Sequence, residues 1–146
     1  MARLVAVTML LTLAACSGAP AKPPTSFAMN EEPLSVGVGG QMVNDTRTSV
    51  TFTPVTNVSR VDGTRSELVY LGLLGSGPAG KSTIRVRYQE HKIVNGAEVE
   101  RPEYRAEVTL DLAQSRMLDF KGWQVGVLEA TDRSIRYQVV GSPAPR

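Results

Sequence analysis

The chain has few of the residues that usually build catalytic or metal centres. Its 146 residues contain one cysteine, one histidine and one tryptophan. The single cysteine, Cys16, excludes a disulfide within the chain, and the single histidine, His91, excludes a site made of several imidazoles. We therefore expect no metal and no cofactor, and a fold that is stabilised by its apolar core.

An excess of charge of one sign is also lacking. The sequence has 16 lysines and arginines against 14 aspartates and glutamates, a formal net charge of +2. No cluster of basic residues of the kind that binds nucleic acid is present. We expect no nucleic-acid partner.

No apolar stretch near the start of the chain is long enough to form a membrane-spanning helix. Residues 4–13 are mainly apolar, whereas a spanning helix needs about 20 such residues. The stretch follows Arg3 and is followed by small residues, a pattern typical of a secretory signal peptide. Residues 1–15 are therefore predicted to direct export.

The end of that segment carries a specific motif. Leu13, Ala14, Ala15 and Cys16 resemble the lipobox of bacterial lipoprotein precursors. The resemblance covers residues 1–16 and implies cleavage just before Cys16, whose sulfur and amino group both carry acyl chains. Several acyl chains on one residue anchor a protein durably to a membrane. Ser17, which is not aspartate, implies an outer-membrane location facing the periplasm.

The rest of the chain divides by composition. Residues 16–33 are rich in Pro, Ala and Ser and are predicted to be a flexible tether. Residues 34–141 are predicted to be one β-domain, since this length supports a single compact core. Residues 142–146 form a short tail. The domain resembles small bacterial envelope proteins.

Period-two alternation predicts that residues 34–141 are all-β. Ile84, Val86 and Tyr88 alternate with Arg85 and Arg87, and residues 104–112 place Tyr, Ala, Val and Leu on one face in the same way. Residues 68–74 lack alternation, which predicts a strand buried on both faces. We expect an antiparallel sandwich or small barrel of seven or eight strands.

Turn signals divide the strands. We expect turns at 44–47, at Asp62-Gly63, at 75–80 and at 130–133, and a strand that ends at Pro54. Only residues 111–118 are compatible with a short helical turn.

The sequence GSGPAGKS at 75–82 matches the phosphate-binding loop pattern. In such loops the Lys and Ser open a helix, whose amides hold the phosphates. Here Thr83, Ile84 and Val86 predict a strand instead, and Pro78 removes one amide. We interpret the segment as a hairpin loop and expect no nucleotide.

No constellation of catalytic residues is evident, and we expect a protein that is not an enzyme. His91 is predicted to face solvent, because no convergent partners for a catalytic triad can be inferred. Acidic side chains between 98 and 111 are predicted to lie on the exposed faces of strands, where they pair with neighbouring cations. These are Glu98, Glu100, Glu103, Glu107 and Asp111.

The remaining hypotheses concern binding. Arg85, Arg87 and Arg136 are predicted to point outward and form a candidate surface for an acidic partner or lipid headgroups. Cross-strand acids are expected to neutralise part of this surface. An unpaired sheet edge, as at Gln41, is the second mode and is favoured, because the glycine-rich first strand has little edge protection.

Two functions follow from these features. The first is an interaction or assembly accessory lipoprotein that binds another envelope protein. The alternative is a lipocalin-like carrier or sensor that holds a small apolar ligand inside a barrel.

Overall fold

The computed structural model describes residues 32–74 and 83–144. Cys16, nearly all of the tether and the loop motif at 75–82 lie outside these residues. The described chain forms eight strands: β1 (Leu34–Gly37), β2 (Gln41–Thr53), β3 (Val58–Leu73), β4 (Thr83–Val94), β5 (Ala97–Asp111), β6 (Met117–Phe120), β7 (Trp123–Ala130) and β8 (Ser134–Gly141). Within these ranges no helix is present that has the length and apolar character to cross a membrane.

The strands form two antiparallel sheets of four strands each. The short sheet has the order β1-β8-β7-β6, and the long sheet has the order β2-β3-β4-β5. The two sheets are not closed into a barrel. The predicted all-β antiparallel fold is confirmed, and of its two forms the sandwich is correct.

The core lies between the sheets and is built from the alternating apolar residues of both. Leu68, Tyr70 and Ile84 of the long sheet and Val125 and Val127 of the short sheet have no solvent exposure. They belong to one continuous apolar cluster, as expected for two sheets packed face to face.

Tyrosines of the long sheet extend the contact between the two layers. The Tyr70 hydroxyl donates a 2.7 Å hydrogen bond to the Thr131 carbonyl. The Tyr88 ring meets Phe120 edge to face at 5.4 Å, a favourable aromatic geometry. These contacts fix the packing of one sheet against the other.

The long sheet extends beyond the short one. β3 has 16 residues and β2 has 13, whereas β7 and β8 have 8 each. Register between β3 and β4 ends at Gly63 and Ile93, but β2 and β3 stay paired out to Thr53 and Val58. We call residues 49–60, all of which are exposed, the arm. β2 is also an edge strand.

Two predicted turns are wrong. Residues 44–47 lie within β2, and Asp62-Gly63 lies within β3. The hairpin between these strands turns at 54–57, directly after β2 ends as Pro54 predicts. Glycine is needed at position 63 for a different reason. A Cβ atom at this position would collide with the Arg47 carbonyl oxygen of the adjacent strand.

Other local predictions have mixed outcomes. The turn at 130–133 is confirmed, since β7 ends at Ala130 and β8 begins at Ser134. Burial on both faces holds for residues 68–70, but Leu74 is 44% exposed. The β4–β5 hairpin turns at Asn95-Gly96, where both residues have positive φ, the geometry that favours a two-residue hairpin.

Candidate functional site

The predicted basic surface is not assembled as one surface. Arg85 and Arg87 lie on the outer face of the long sheet, opposite the core residues Ile84 and Val86. Arg136 lies on the outer face of the short sheet. The sandwich therefore separates Arg136 from the other two.

Arg85 and Arg87 point outward as predicted, but they are less exposed than expected. Both side chains are half-buried. Their Nε atoms are buried and have no hydrogen-bond partner among the described residues. The cause lies in the neighbouring strands. Arg87 of β4 stands in register with Val69 of β3, which is buried, and with Glu107 of β5. Long arginine stems cover apolar surface in such positions.

His91 lies against a buried carboxylate rather than in solvent. Glu67 is 7% exposed and accepts hydrogen bonds from Gln41 Nε2 at 2.8 Å, Arg65 Nη2 at 2.9 Å and Gln89 Nε2. His91 Nε2 is 3.6 Å from Glu67 Oε1. The prediction that His91 faces solvent is wrong, because these long side chains cover the acid on the outer face of the sheet.

The Glu67 network connects all four strands of the long sheet. Arg65 also contacts Glu98 of β5 at 3.1 Å. The hydrogen bond with Glu98, followed by the charge of Glu67, raises the pKa of Arg65 above its ordinary value. A buried carboxylate that accepts several hydrogen bonds is costly to leave without them. We assign this network a structural role.

The arm carries a concentration of exposed apolar side chains. Val50, Phe52, Val55 and Val58 are 54–94% exposed. Val50 and Phe52 share one face of the hairpin, and Val61 stands opposite Val50 on β3. Val58 stands opposite Thr53 and lies on the other face. Exposed apolar groups that share a face, as Val50 and Phe52 do, commonly mark a contact site.

The free edge of the arm, which belongs to β2, lacks the features that usually prevent an edge strand from pairing with another chain. Residues 48–53 contain no proline, no charged residue and no register shift. Prolines, charges and bulges are the usual means by which an edge strand resists pairing with another chain. β2 therefore offers backbone donors and acceptors beside an apolar face.

A second feature lies where the long sheet overhangs the short sheet. Here a cleft of about 690 Å³ is bounded by the inner face of the long sheet, the Lys121-Gly122 turn and the chain at Pro143 and Ala144. Its floor consists of polar residues in cross-strand register. One row is Asp45, Ser66, Glu90 and Arg101, and the next row is Arg47 and Thr64.

Ion pairs organise the charges of the cleft. Arg47 Nε is 2.6 Å from Asp45 Oδ2, and Arg101 Nη1 is 3.7 Å from Glu90 Oε2. The Tyr88 hydroxyl donates to Glu90. Burial, and then the neighbouring Glu90 carboxylate, raises the pKa of Tyr88 above its ordinary value. Tyr88 therefore remains a neutral donor.

A bulge in β5 places Tyr104 at the cleft. Three residues of β4, from Tyr88 to Glu90, span the same length as six residues of β5, from Ala106 back to Arg101. Tyr104 is 41% exposed, so its predicted inward position is wrong. The Arg101 guanidinium lies 3.9 Å from the centre of its ring. Bulges of this kind redirect side chains beside functional sites.

The chemistry available in the cleft is binding through hydrogen bonds and ring contacts. Both acids, Asp45 and Glu90, are held by arginines. Across residues 32–74 and 83–144, no group of three or more histidine, cysteine or acidic side chains is placed to hold a metal ion.

Sequence reasoning missed both the arm and the cleft. The alternation of Val50 and Phe52 is identical to that of core strands, and nothing in the local pattern indicates that they lie on the outer face of the long sheet, opposite to Asp45 and Arg47. The sequence does contain a signal for the cleft. Asp45, Arg47 and Ser66 are polar residues at positions on the core-facing side of their strands.

The chain was also compared with known proteins. No protein-family model matches it, and neither the curated proteins nor the solved structures contain a match.

Proposed function

We propose that this protein is a membrane-anchored envelope lipoprotein that acts as a non-catalytic interaction or assembly accessory protein. Its β-sandwich binds an extended segment of another envelope protein through the arm. The observation that supports this proposal is the 54–94% exposure of Val50, Phe52, Val55 and Val58 on one hairpin.

The arm supplies both affinity and geometry for such binding. Covering its apolar side chains contributes about 25 cal/mol for each Å² removed from water. A partner strand that pairs with β2 adds main-chain hydrogen bonds, the β-augmentation mode of recognition. The edge itself is available because β2 has β3 as its one neighbour in the sheet.

The proposed anchor brings the arm close to a membrane. Acyl chains on Cys16 hold the chain at the bilayer, and a flexible tether over residues 16–33 reaches about 20–25 Å from it. The partner we expect is consequently another component of the same envelope, on the periplasmic side of the outer membrane.

The carrier alternative requires space for an apolar ligand inside the sandwich. The space between the sheets is instead occupied by the apolar cluster, in which Leu68, Tyr70 and Ile84 are fully buried. The interaction function is therefore the better supported of the two.

The first test uses the full chain, extracted in mild detergent and purified with its bound proteins. The double variant Val50→Thr and Phe52→Thr should lose a protein that copurifies with the wild type, because the apolar contact is removed. Arg136→Gln, an exposed change on the other sheet, should retain it. Retention by the double variant, or loss in Arg136→Gln alone, would refute the arm as the contact.

The second test separates edge pairing from contact with the apolar face. Amides of adjacent residues on an edge strand point in alternate directions, so proline at Thr48 and proline at Ser49 affect different hydrogen bonds, and neither change removes an apolar side chain. One of these variants loses an inward bond to β3, and the other loses a free edge amide. The variant with unchanged thermal stability should nevertheless lose partner capture. Normal capture by that variant excludes edge pairing.

A further inference from the structure

The floor of the cleft departs from the pattern of the rest of its sheet. Leu68 and Tyr88 stand in register and face the core. The next pair on the same face is Ser66 and Glu90, and the pair after that is Thr64 and Lys92. Polar side chains in this position add nothing to the core, and departures from binary patterning concentrate at functional sites.

Most of the charges in the cleft lining compensate one another. Asp45 pairs with Arg47, and Glu90 pairs with Arg101, which leaves Lys121 of the turn as the remaining charge. A free ion entering the cleft would have to compete with these pairs. A neutral ligand would not, since a carboxylate has about four acceptor positions and a guanidinium has five donors, which leaves capacity after pairing.

The walls are held in place by the same groups. Arg47 Nη2 donates to the carbonyl oxygens of Pro143 at 3.3 Å and Ala144 at 3.2 Å. This contact attaches the chain after β8 to the floor of the cleft. The site therefore has a preformed shape, which lowers the entropy cost of binding.

An aromatic ring completes the site. Tyr104 retains 41% exposure and is placed at the cleft by the β5 bulge. A tyrosine ring presents a flat apolar surface with a polar hydroxyl at its end. Arg101 covers one face of this ring. The opposite face fits the C–H face of a sugar ring, while paired acids and arginines fit the hydroxyl groups of the sugar, which both donate and accept hydrogen bonds.

We propose that the cleft is a binding site for a neutral saccharide. Its volume of about 690 Å³ lies within the usual range of small-molecule sites, about 300–1,000 Å³. The hydroxyl groups of the ligand contact Asp45, Glu90 and the arginines that pair with them, and its apolar face packs on Tyr104. This site is separate from the arm and does not depend on the partner proposed for it.

The test is calorimetric titration of the full, detergent-solubilised protein with maltotriose, cellotriose and chitotriose, and with inorganic phosphate as the anionic probe. At least one trisaccharide should bind saturably with a Kd of about 1 mM or tighter. Asp45→Asn and Tyr104→Ala should each weaken that binding by about tenfold or more, because a charge-assisted hydrogen bond or a ring contact is lost. Phosphate should not bind.

Two controls identify the cause of any loss. Asp119→Asn makes the same chemical change outside the cleft lining and should bind as the wild type does. The double arm variant Val50→Thr and Phe52→Thr should also bind normally, even if its partner is lost. The proposal is overturned if no trisaccharide saturates below about 10 mM, if phosphate binds instead, or if both cleft variants bind like the wild type.

Discussion

At the scale of single residues, buried tyrosines make the stability of the fold depend on pH. Burial raises the pKa of Tyr70 to about 12 from its ordinary value of 10.0, with a further contribution from Asp132. Burial also raises the pKa of Tyr137. A raised pKa means that the neutral phenol is favoured in the folded state, whereas the unfolded chain ionises more readily. The resulting stability is complete below pH 10 and is lost as pH rises towards 12.

Tyr70→Phe tests this linkage. At neutral pH we expect a loss of about 1 kcal/mol, because the hydrogen bond to the Thr131 carbonyl is removed. The fall in unfolding free energy between about pH 8 and about pH 11 should become shallower, since one titrating phenol is gone. Urea unfolding at both pH values measures the effect. An equally steep fall in the variant would contradict the assignment.

Gly63 provides a second prediction at this scale. Gly63→Ala should destabilise the domain by about 1–3 kcal/mol, because the new Cβ meets the Arg47 carbonyl oxygen. Gly37→Ala is the matched control, since its Cβ would lie 3.6 Å from the nearest atom, and it should change stability by less than about 0.5 kcal/mol. Equal effects of the two substitutions in thermal unfolding would show that the close approach does not matter.

At the scale of elements, alternation predicts strands better than it predicts their ends. The strand after Gly80 and the hairpin at 130–133 follow from local pattern. Asp62-Gly63 has the composition of a tight turn, yet it lies inside β3 because strand pairing across 16 residues overrides the local preference. The structure places the tight turn at Asn95-Gly96, the same type of signal at a true strand end.

The arm is the element whose exposure sequence alone did not reveal. Its alternating residues match those of a core strand, but Val50 and Phe52 lie on the outer face of the long sheet, because Asp45 and Arg47 occupy the core-facing positions of β2. Which face of a strand meets the core is set by pairings between residues far apart in sequence, which no local window contains.

Removing the arm should therefore leave the domain folded. We expect that replacing residues 51–60 with Asn-Gly, which joins Val50 to Val61 across a two-residue turn, will change the unfolding free energy by less than about 1 kcal/mol. The reason is that every residue removed is exposed. A cooperative thermal transition close to that of the wild type is the expected result, and an unfolded product would show that the arm supports the core.

At the scale of the whole molecule, fold class was predictable and the site was not. Alternating apolar residues require two layers with a core between them, which gives an all-β sandwich or a barrel. The division into sheets with strands of unequal length was not predictable. That inequality creates the cleft over Ser66 and Glu90 and uncovers the core-facing side of the arm, while Val50 and Phe52 lie on its outer side.

The proposed anchor is a property of the intact chain and is tested in cells. Cys16→Ser should abolish incorporation of labelled fatty acid and leave an uncleaved precursor, because both steps require the sulfur. Gel mobility and mass of the purified protein report the result, and Ser17→Ala serves as a control that keeps the sulfur. Normal processing of the Cys16 variant would contradict the lipoprotein assignment.

The central claim is that the arm contacts another envelope protein, and site-specific photo-crosslinking in intact cells tests it most directly. A photoreactive residue is placed at Phe52 in one strain and at Arg136 in another, both exposed positions on different sheets. We predict a discrete adduct with a second polypeptide from position 52 and none from position 136. Adducts from position 136 alone, or none from position 52 in correctly anchored protein, would contradict the account.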